Sequence, residues 1–188
     1  MKKLKVALVV GHRENKQGAV GAAGMSEWKF YDALAKDIKL RFSFADDVSI
    51  KIFYRKVRGS GYNERMTELH KRIDEWGANI SISLHFNSTN RHTVTGHEVL
   101  YCSSSKTSAR LAESLNNSFS AFLPNRDRGS KARKKGDRGG GFLCKGKSYC
   151  VLAEPFFGIE QNNYMPTYRY RELLIDAFYE FIRGASAK

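Results

Sequence analysis

Two histidines and two glutamates in this sequence have the types and positions of a metal-dependent hydrolytic site. His12 follows the apolar segment "LKVALVV", and His85 ends the alternating segment "NISISLH". Glu27 begins a helical pattern after a glycine-rich loop, and Glu154 ends the apolar segment "CVLAE". Two imidazoles and one carboxylate are a recurring ligand set of catalytic zinc, which leaves one position open for water. The remaining carboxylate could then act as a general base toward that water.

These four residues need a fold that brings distant segments together, and the hydrophobic pattern predicts one. Strand patterns alternate with helical patterns along the chain, which is typical of an α/β fold with a largely parallel sheet. We predict a twisted, largely parallel (mixed) sheet flanked by helices on both faces, in a single domain that covers residues 1–188. In such sheets, ligands bind beyond the carboxyl ends of the strands, so the four residues should converge there. The predicted strands are 4–10, 48–55, 79–85, 96–102 and 148–155, and the predicted helices are 26–42, one that ends at Gly77, 104–122 and about 167–184.

A glycine-rich, basic segment stands apart from these elements. Residues 126–141 contain seven Arg or Lys and two Asp, which gives a net charge of seven minus two, or +5. The segment is too polar and too rich in glycine for a core element. We therefore predict a long surface loop, of the kind that is often functional.

The charge of the whole chain narrows the class of its partners. The net charge is +13 and the isoelectric point is about 9.8, which indicates an anionic partner such as nucleic acid, a membrane surface or an anionic cell-wall polymer. No apolar run approaches the roughly 20 residues of a membrane span. The first residues, "MKKLKVALVVGH", lack the features of a signal peptide. We therefore expect synthesis in the cytoplasm without a signal peptide.

The remaining cysteines and histidines give weaker signals. Three cysteines without dense spacing argue against a disulfide framework, so we expect small, partly buried thiols. His70 lies among charges on a helical pattern and His92 lies in a polar loop, so both are predicted to be exposed and inert. His97 precedes Glu98 in a strand pattern and is a further candidate ligand.

Five motifs occur in an order that resembles the zinc-dependent N-acetylmuramoyl-L-alanine amidase family. They are "GHRENKQGAVGAAGMSEW", "YRKVRGSGYNERMTELHKRIDEWGANISISLHFN", "GHEVLY", "DRGSK" and "VLAEPFF", and they span nearly the whole chain. The family pattern opens with Gly-His, has a ligand Glu at a helix start, continues as Ile-Ser-x-His-x-Asn and closes with a catalytic Glu after an apolar strand. The matching positions here are Gly11, His12, Glu27, Arg55, Arg65, Ala78, Asn79, Ser83, His85, Asn87 and Glu154.

The resemblance implies a peptidoglycan hydrolase that cuts the amide between N-acetylmuramic acid and L-alanine. The residues it implies are His12, Glu27 and His85 as ligands of one Zn2+, Glu154 as the catalytic base, and Asn87 and Arg128 as substrate contacts. No separate wall-binding domain is visible in the sequence, and the matching position to His97 is not a ligand. The chain is similar to phage lysis enzymes, which are made in the cytoplasm and act on the cell wall after release.

Two other classes of function remain as alternatives at this point. The first is another zinc hydrolase of peptidoglycan, a peptidase or a deacetylase. The second is a basic nucleic-acid-binding protein without catalysis, which the net charge of +13 would fit. Charge alone explains neither the histidines at the strand ends nor Glu154, so a nucleic-acid partner is the less favoured reading. The oligomeric state is not predicted.

Overall fold

A six-stranded mixed sheet is the centre of the fold, and five helices cover its two faces in the described part of the chain. The computed structural model describes residues 3–21, 24–56, 61–89, 93–158 and 168–187. The strands are β1 (Leu4–Val10), β2 (Val48–Tyr54), β3 (Ile80–Leu84), β4 (His97–Cys102), β5 (Asp127–Arg133) and β6 (Tyr149–Glu154). The helices are α1 (Glu27–Arg41), α2 (Tyr62–Trp76), α3 (Lys106–Phe122), α4 (Gly140–Leu143) and α5 (Tyr168–Ser186). None of these helices is long and apolar enough to span a membrane.

The strand order explains why distant residues meet at one edge of the sheet. The order is β2-β1-β3-β6-β4-β5. Strands β2, β1, β3 and β6 run parallel to one another, whereas β4 is antiparallel to β6 and β5 is parallel to β4. The carboxyl ends of β1, β3 and β6 therefore lie side by side. The predicted class, a largely parallel mixed sheet with helices on both faces, is confirmed.

Two hydrophobic clusters fill the space between the sheet and its helices. Strand β1 contributes Val6, Leu8 and Val10 to the cluster that includes α1, α3 and α5. It contributes Ala7 and Val9 to the cluster that includes α2 and α4. A strand buried on both faces has no polar side, which is why "LKVALVV" is continuously apolar after Lys5.

The ends of the first two helices follow their sequence signals. Ser26 precedes α1, and its hydroxyl accepts a hydrogen bond from the Lys29 amide. Gly77 ends α2 in a left-handed conformation with φ of 74°. Both residues were predicted as helix boundaries, because serine caps the free amides of a first turn and glycine adopts the left-handed conformation at low cost.

The basic segment 126–141 is not a long loop, and that prediction is wrong. Its first half forms β5, which pairs with β4 along the edge of the sheet. Arg128 Nε and Lys131 Nζ both donate to Glu98 Oε2 at 2.6 Å. Ion pairs, rather than apolar side chains, fix β5 against β4. The segment therefore has no hydrophobic pattern from which a strand could be predicted.

Two predictions about buried residues are also wrong. Cys102, at the end of β4, forms a disulfide with Cys144, which caps the C-terminal end of α4. Cys150 is a buried free thiol, so only this cysteine matches the prediction. His70 is only 2% exposed, because α4 covers α2 and the Phe142 ring packs on the imidazole at 5.0 Å between centroids. His92 lies outside the described residues.

Candidate active site

His12, Glu27 and His85 come together at the carboxyl edge of the sheet. One ligand atom from each lies within 4.8 Å of the others. His12 Nε2 lies 3.0 Å from Glu27 Oε2, and His85 Nδ1 lies 2.7 Å from Glu27 Oε1. The two imidazole rings are 5.1 Å apart and nearly perpendicular, at 72°. Within the described residues this is the one group of His, Cys, Asp or Glu that could hold a metal ion.

Glycines on either side of His12 allow this close approach. A Cβ at Gly11 would lie 2.4 Å from the Leu84 carbonyl oxygen and 2.6 Å from His85 Cε1. A Cβ at Gly18 would lie 2.6 Å from His12 Cδ2 and 2.7 Å from Glu27 Oε2. Any larger residue would push the ligands apart. His12 itself has a positive φ of 62°, a conformation uncommon outside glycine and often found at functional sites.

The pKa shifts of Glu27 and His85 suit metal binding. Burial alone would raise the pKa of Glu27, but the hydrogen bonds and charges of His12 and His85 outweigh it and lower the pKa to about 2. Burial lowers the pKa of His85, and the contact with Glu27 opposes this shift only in part. An ionised carboxylate and a neutral imidazole are the forms that ligate metals. Two nitrogens and one carboxylate oxygen fit zinc, which accepts both atom types.

Glu154 lies in the same cavity as two of these residues. The cavity has a volume of about 800 Å³, and His12, His85 and Glu154 line it. Burial raises the pKa of Glu154 to about 7, the charge of Arg138 opposes the shift, and the charge of Glu98 adds to it. A carboxyl group that titrates near neutral pH can accept a proton and return it.

The two predicted substrate contacts lie outside this cavity. Asn87 is 7% exposed, and its backbone pairs with Phe156 and Gly158. Arg128 donates to Glu98, and its guanidinium lies over the Phe157 ring at 5.0 Å. A direct role of either residue in substrate binding stays a prediction. His97 is not part of the His12, Glu27 and His85 cluster. Its two ring nitrogens contact Asn125 and Ser120 instead.

Sequence reasoning missed part of the cavity wall. The turn after β5 and helix α4 supply lining residues, and α2 supplies others. Arg138 approaches Glu154 at 3.5 Å between Nη2 and Oε1. The run "DRGGG" was the available signal for this wall, because glycines allow a chain to approach a site closely. The position of the run could not be predicted, because β5, the strand that precedes it, was not recognised in the sequence. The wall residues that were not predicted include Tyr62, Asn63, Met66, Lys135, Arg138 and Phe142.

A three-residue metal site beside a carboxyl group of raised pKa is typical of metal-dependent hydrolases. The family model described as N-acetylmuramoyl-L-alanine amidase matches residues 6–183. The chain therefore belongs to the N-acetylmuramoyl-L-alanine amidase family. The predicted enzyme class, an N-acetylmuramoyl-L-alanine amidase, is confirmed by this match. A search of curated proteins found no significant match.

Solved structures share the fold over nearly the whole chain. An N-acetylmuramoyl-L-alanine amidase from Clostridium difficile 630 has a TM-score of 0.85 at 17% identity, covering 100% of this chain and 99% of its own. The amidase AmiC2 of Nostoc punctiforme has a TM-score of 0.78 at 23% identity, covering 98% of each chain. The catalytic domain of the CD27L endolysin targeting Clostridia Difficile has a TM-score of 0.74 at 20% identity, covering 96% of this chain and 97% of its own. At these identities the matches establish the shared fold.

Proposed function

We propose that this amidase hydrolyses the bond between the lactyl group of N-acetylmuramic acid and L-alanine with one zinc ion held by His12, Glu27 and His85. The observation that carries the proposal is the convergence of these three ligand atoms within 4.8 Å. When bound there, zinc would supply Lewis acidity to the amide carbonyl and would make water more acidic.

Glu154 supplies the proton transfer in this proposal. Its carboxylate faces the cavity that His12 and His85 also line. It accepts a proton from the attacking water and then returns the proton to the nitrogen of L-alanine as the amide bond breaks. Its pKa of about 7 lets one group perform both steps near neutral pH.

We further propose that the protein acts in phage-type host lysis, with synthesis in the cytoplasm and action on the wall after release. The similarity to the CD27L endolysin domain supports this role. Expression in a bacterial host tests it. The cells should stay intact until a membrane-permeabilising agent is added and should then lyse, whereas cells that express the Glu154→Gln variant should not. Lysis without the agent, or none after it, would contradict the role.

Digestion of purified peptidoglycan with the zinc-loaded protein tests the bond that is cut. Mass spectrometry should detect peptides with a free L-alanine amine together with intact glycan strands. The Glu154→Gln protein is the matched control, because the two side chains have nearly the same shape. New reducing sugar ends, removal of acetyl groups, or cuts confined to the stem peptide would refute the amidase reaction and favour another peptidoglycan hydrolase.

A further inference from the structure

A second, basic recess opens beside His12. It has a volume of about 440 Å³ and shares His12 and Arg55 with the catalytic cavity. No acidic residue is among the described residues that line it. The cations that line it are Arg13, Lys16, Arg55 and Arg65.

The arginines of this recess lie close enough to affect one another. Burial lowers the pKa of Arg55, and the positive charges of Arg13 and Arg65 lower it further, against the opposing effects of Tyr62 and Glu27. No carboxylate of the described chain forms an ion pair with the Arg55 guanidinium. Clustered like charges repel, and an anion placed among them relieves the repulsion.

We propose that this recess binds a free carboxylate of the peptidoglycan stem peptide, so that the enzyme prefers stems with ionised carboxylates to stems in which they are amidated. The inference rests on the proposed amidase function. The lactyl carboxyl group of muramic acid is consumed in the bond that is cut, and the sugar hydroxyl and acetamido groups are neutral. An anion close to the bond therefore belongs to the peptide.

The chemistry of the recess matches a carboxylate near the reacting amide. A guanidinium is planar and can donate two parallel hydrogen bonds to a carboxylate. Because His12 and Arg55 line both spaces, the recess adjoins the catalytic cavity, and one substrate molecule can place its amide in the cavity and a nearby carboxylate in the recess. Binding it would orient the peptide side of the substrate against the metal ligands and Glu154.

Two soluble substrates test this preference. They are N-acetylmuramoyl tripeptides that carry either a free α-carboxylate or a carboxamide at the second residue. The parent enzyme should cleave the carboxylate substrate with a kcat/KM about 10-fold or more above that of the amide, as expected for a charge-assisted hydrogen bond. In the Arg55→Gln and Arg65→Gln variants this ratio should fall toward one. Zinc content of each variant is measured alongside, because Arg55 lies near Glu27.

Lys56→Gln is the matched control for charge. Lys56 is the neighbour of Arg55 in sequence, but it pairs with Glu68 at 2.9 Å and does not line the recess. This variant loses one positive charge on the same segment and should keep the substrate ratio of the parent. A similar loss of preference in Lys56→Gln would mean that overall charge, rather than the recess, sets the ratio, and would overturn the proposal.

Calorimetry with zinc-free protein gives a readout that does not depend on turnover. The free stem peptide with its carboxylate should bind more tightly than the amidated peptide, and Arg55→Gln should remove the difference. Equal cleavage and equal binding of both forms would overturn the carboxylate site while leaving the amidase function intact. If neither substrate is cleaved, the amidase function fails and the binding comparison alone decides the recess. Displacement of the peptide by oligo(glycerol phosphate), with no preference between the two peptides, would assign the recess to a phosphate polymer instead.

Discussion

Glu98 on β4 and Glu154 on β6 are direct partners across the antiparallel pair of strands. Two cations hold Glu98: burial would raise its pKa, but the hydrogen bonds from Lys131 and Arg128 lower it. The cation beside Glu154 is Arg138, whose Nη2 lies 3.5 Å from Glu154 Oε1 and whose side chain is 72% exposed. Burial and the charge of Glu98 raise the pKa of Glu154. The two neighbouring carboxyl groups therefore have pKa values shifted in opposite directions, down for Glu98 and up to about 7 for Glu154.

Replacing Glu98 by Gln should shift the pH profile of the enzyme to lower pH. A general base works when it is deprotonated, so kcat/KM rises as pH increases through the pKa of Glu154, which is about 7 before any metal is bound. The Glu98→Gln variant loses a negative charge that raises this pKa. The rise of kcat/KM on the acidic side of the profile, the acid limb, should therefore occur at lower pH. The measurement is kcat/KM against pH with a soluble muropeptide.

Replacing Arg138 by Gln should shift the same limb to higher pH. The positive charge of Arg138 lowers the pKa of Glu154, and its loss removes that effect. A bound divalent cation also lowers the pKa in every variant, so the test compares the proteins under one metal concentration. If Glu98→Gln and Arg138→Gln move the limb in the same direction, Glu154 is not the group that titrates.

Substitutions should distinguish the proposed metal ligands from the proposed base by their effects on zinc content and on turnover. The Glu154→Gln protein should keep stoichiometric zinc and lose turnover by about 10²–10⁴-fold, as is typical for a lost general base. His12→Ala and His85→Ala should lose both zinc and activity, because each removes one of the three ligand atoms. Metal analysis after gel filtration checks both. Stoichiometric zinc in the two histidine variants would refute this ligand set.

Much of the fold and the convergence of the four chemical residues could be predicted because local signals agreed with the topology. Ser26 and Gly77 mark helix ends through their own hydrogen bonding and backbone conformation. His12 and His85 follow parallel strands that are adjacent in the sheet, and the ends of adjacent parallel strands must meet. Glu27 joins them because its helix begins where the glycine-rich loop returns to that edge.

The rest depends on contacts that leave no periodic pattern. Strand β5 is fixed by ion pairs to Glu98, and the sequence "DRGSKAR" looks the same whether or not those partners are present. Cys102 and Cys144 are 42 residues apart, and only the packing of α4 near the end of β4 joins them. His70 is buried by α4, a helix of four residues that is too short to show a helical period.

The disulfide should contribute measurably to stability. Joining Cys102 to Cys144 reduces the conformational entropy of the unfolded chain, and such links typically contribute about 2–4 kcal/mol. We expect the free energy of unfolding of the double Cys102→Ser, Cys144→Ser variant to be lower by about that amount, measured as a lower midpoint of denaturant unfolding. A reductant should lower the stability of the parent to that of the variant and leave the variant unchanged. Equal stability of the two proteins without reductant would contradict a stabilising disulfide.

The basic segment should increase attraction to intact walls. Lys131 is tied to Glu98 and Lys135 lines the cavity, so Arg133 and Lys134 are the better residues to remove. The Arg133→Ser, Lys134→Ser variant should bind whole walls more weakly, with a smaller salt dependence, because attraction between surface charges is screened over about 8 Å at physiological salt. Hydrolysis of a small muropeptide should be nearly unchanged.

A control with the same loss of charge is available on α1. Lys36 and Lys39 are exposed there, and neither lines the catalytic cavity. If the Lys36→Ser, Lys39→Ser variant loses wall binding to the same extent, total charge rather than the basic segment is responsible. Tight binding of the parent to duplex DNA that is lost in the Arg133→Ser, Lys134→Ser variant would favour a nucleic-acid partner instead.

The position of β5 also bears on self-association. It forms one edge of the sheet, and in the described part of the chain it pairs with β4 alone. An open edge strand offers backbone donors and acceptors to any extended chain that approaches. Strand β5 and its flanking residues Arg126 and Lys134 carry five cations and one acid, Asp127, so two copies that met through β5 would bring like charges together, which opposes extension of the sheet. The charges on the strand that holds Glu98 opposite Glu154 thus also disfavour association of two copies through this edge.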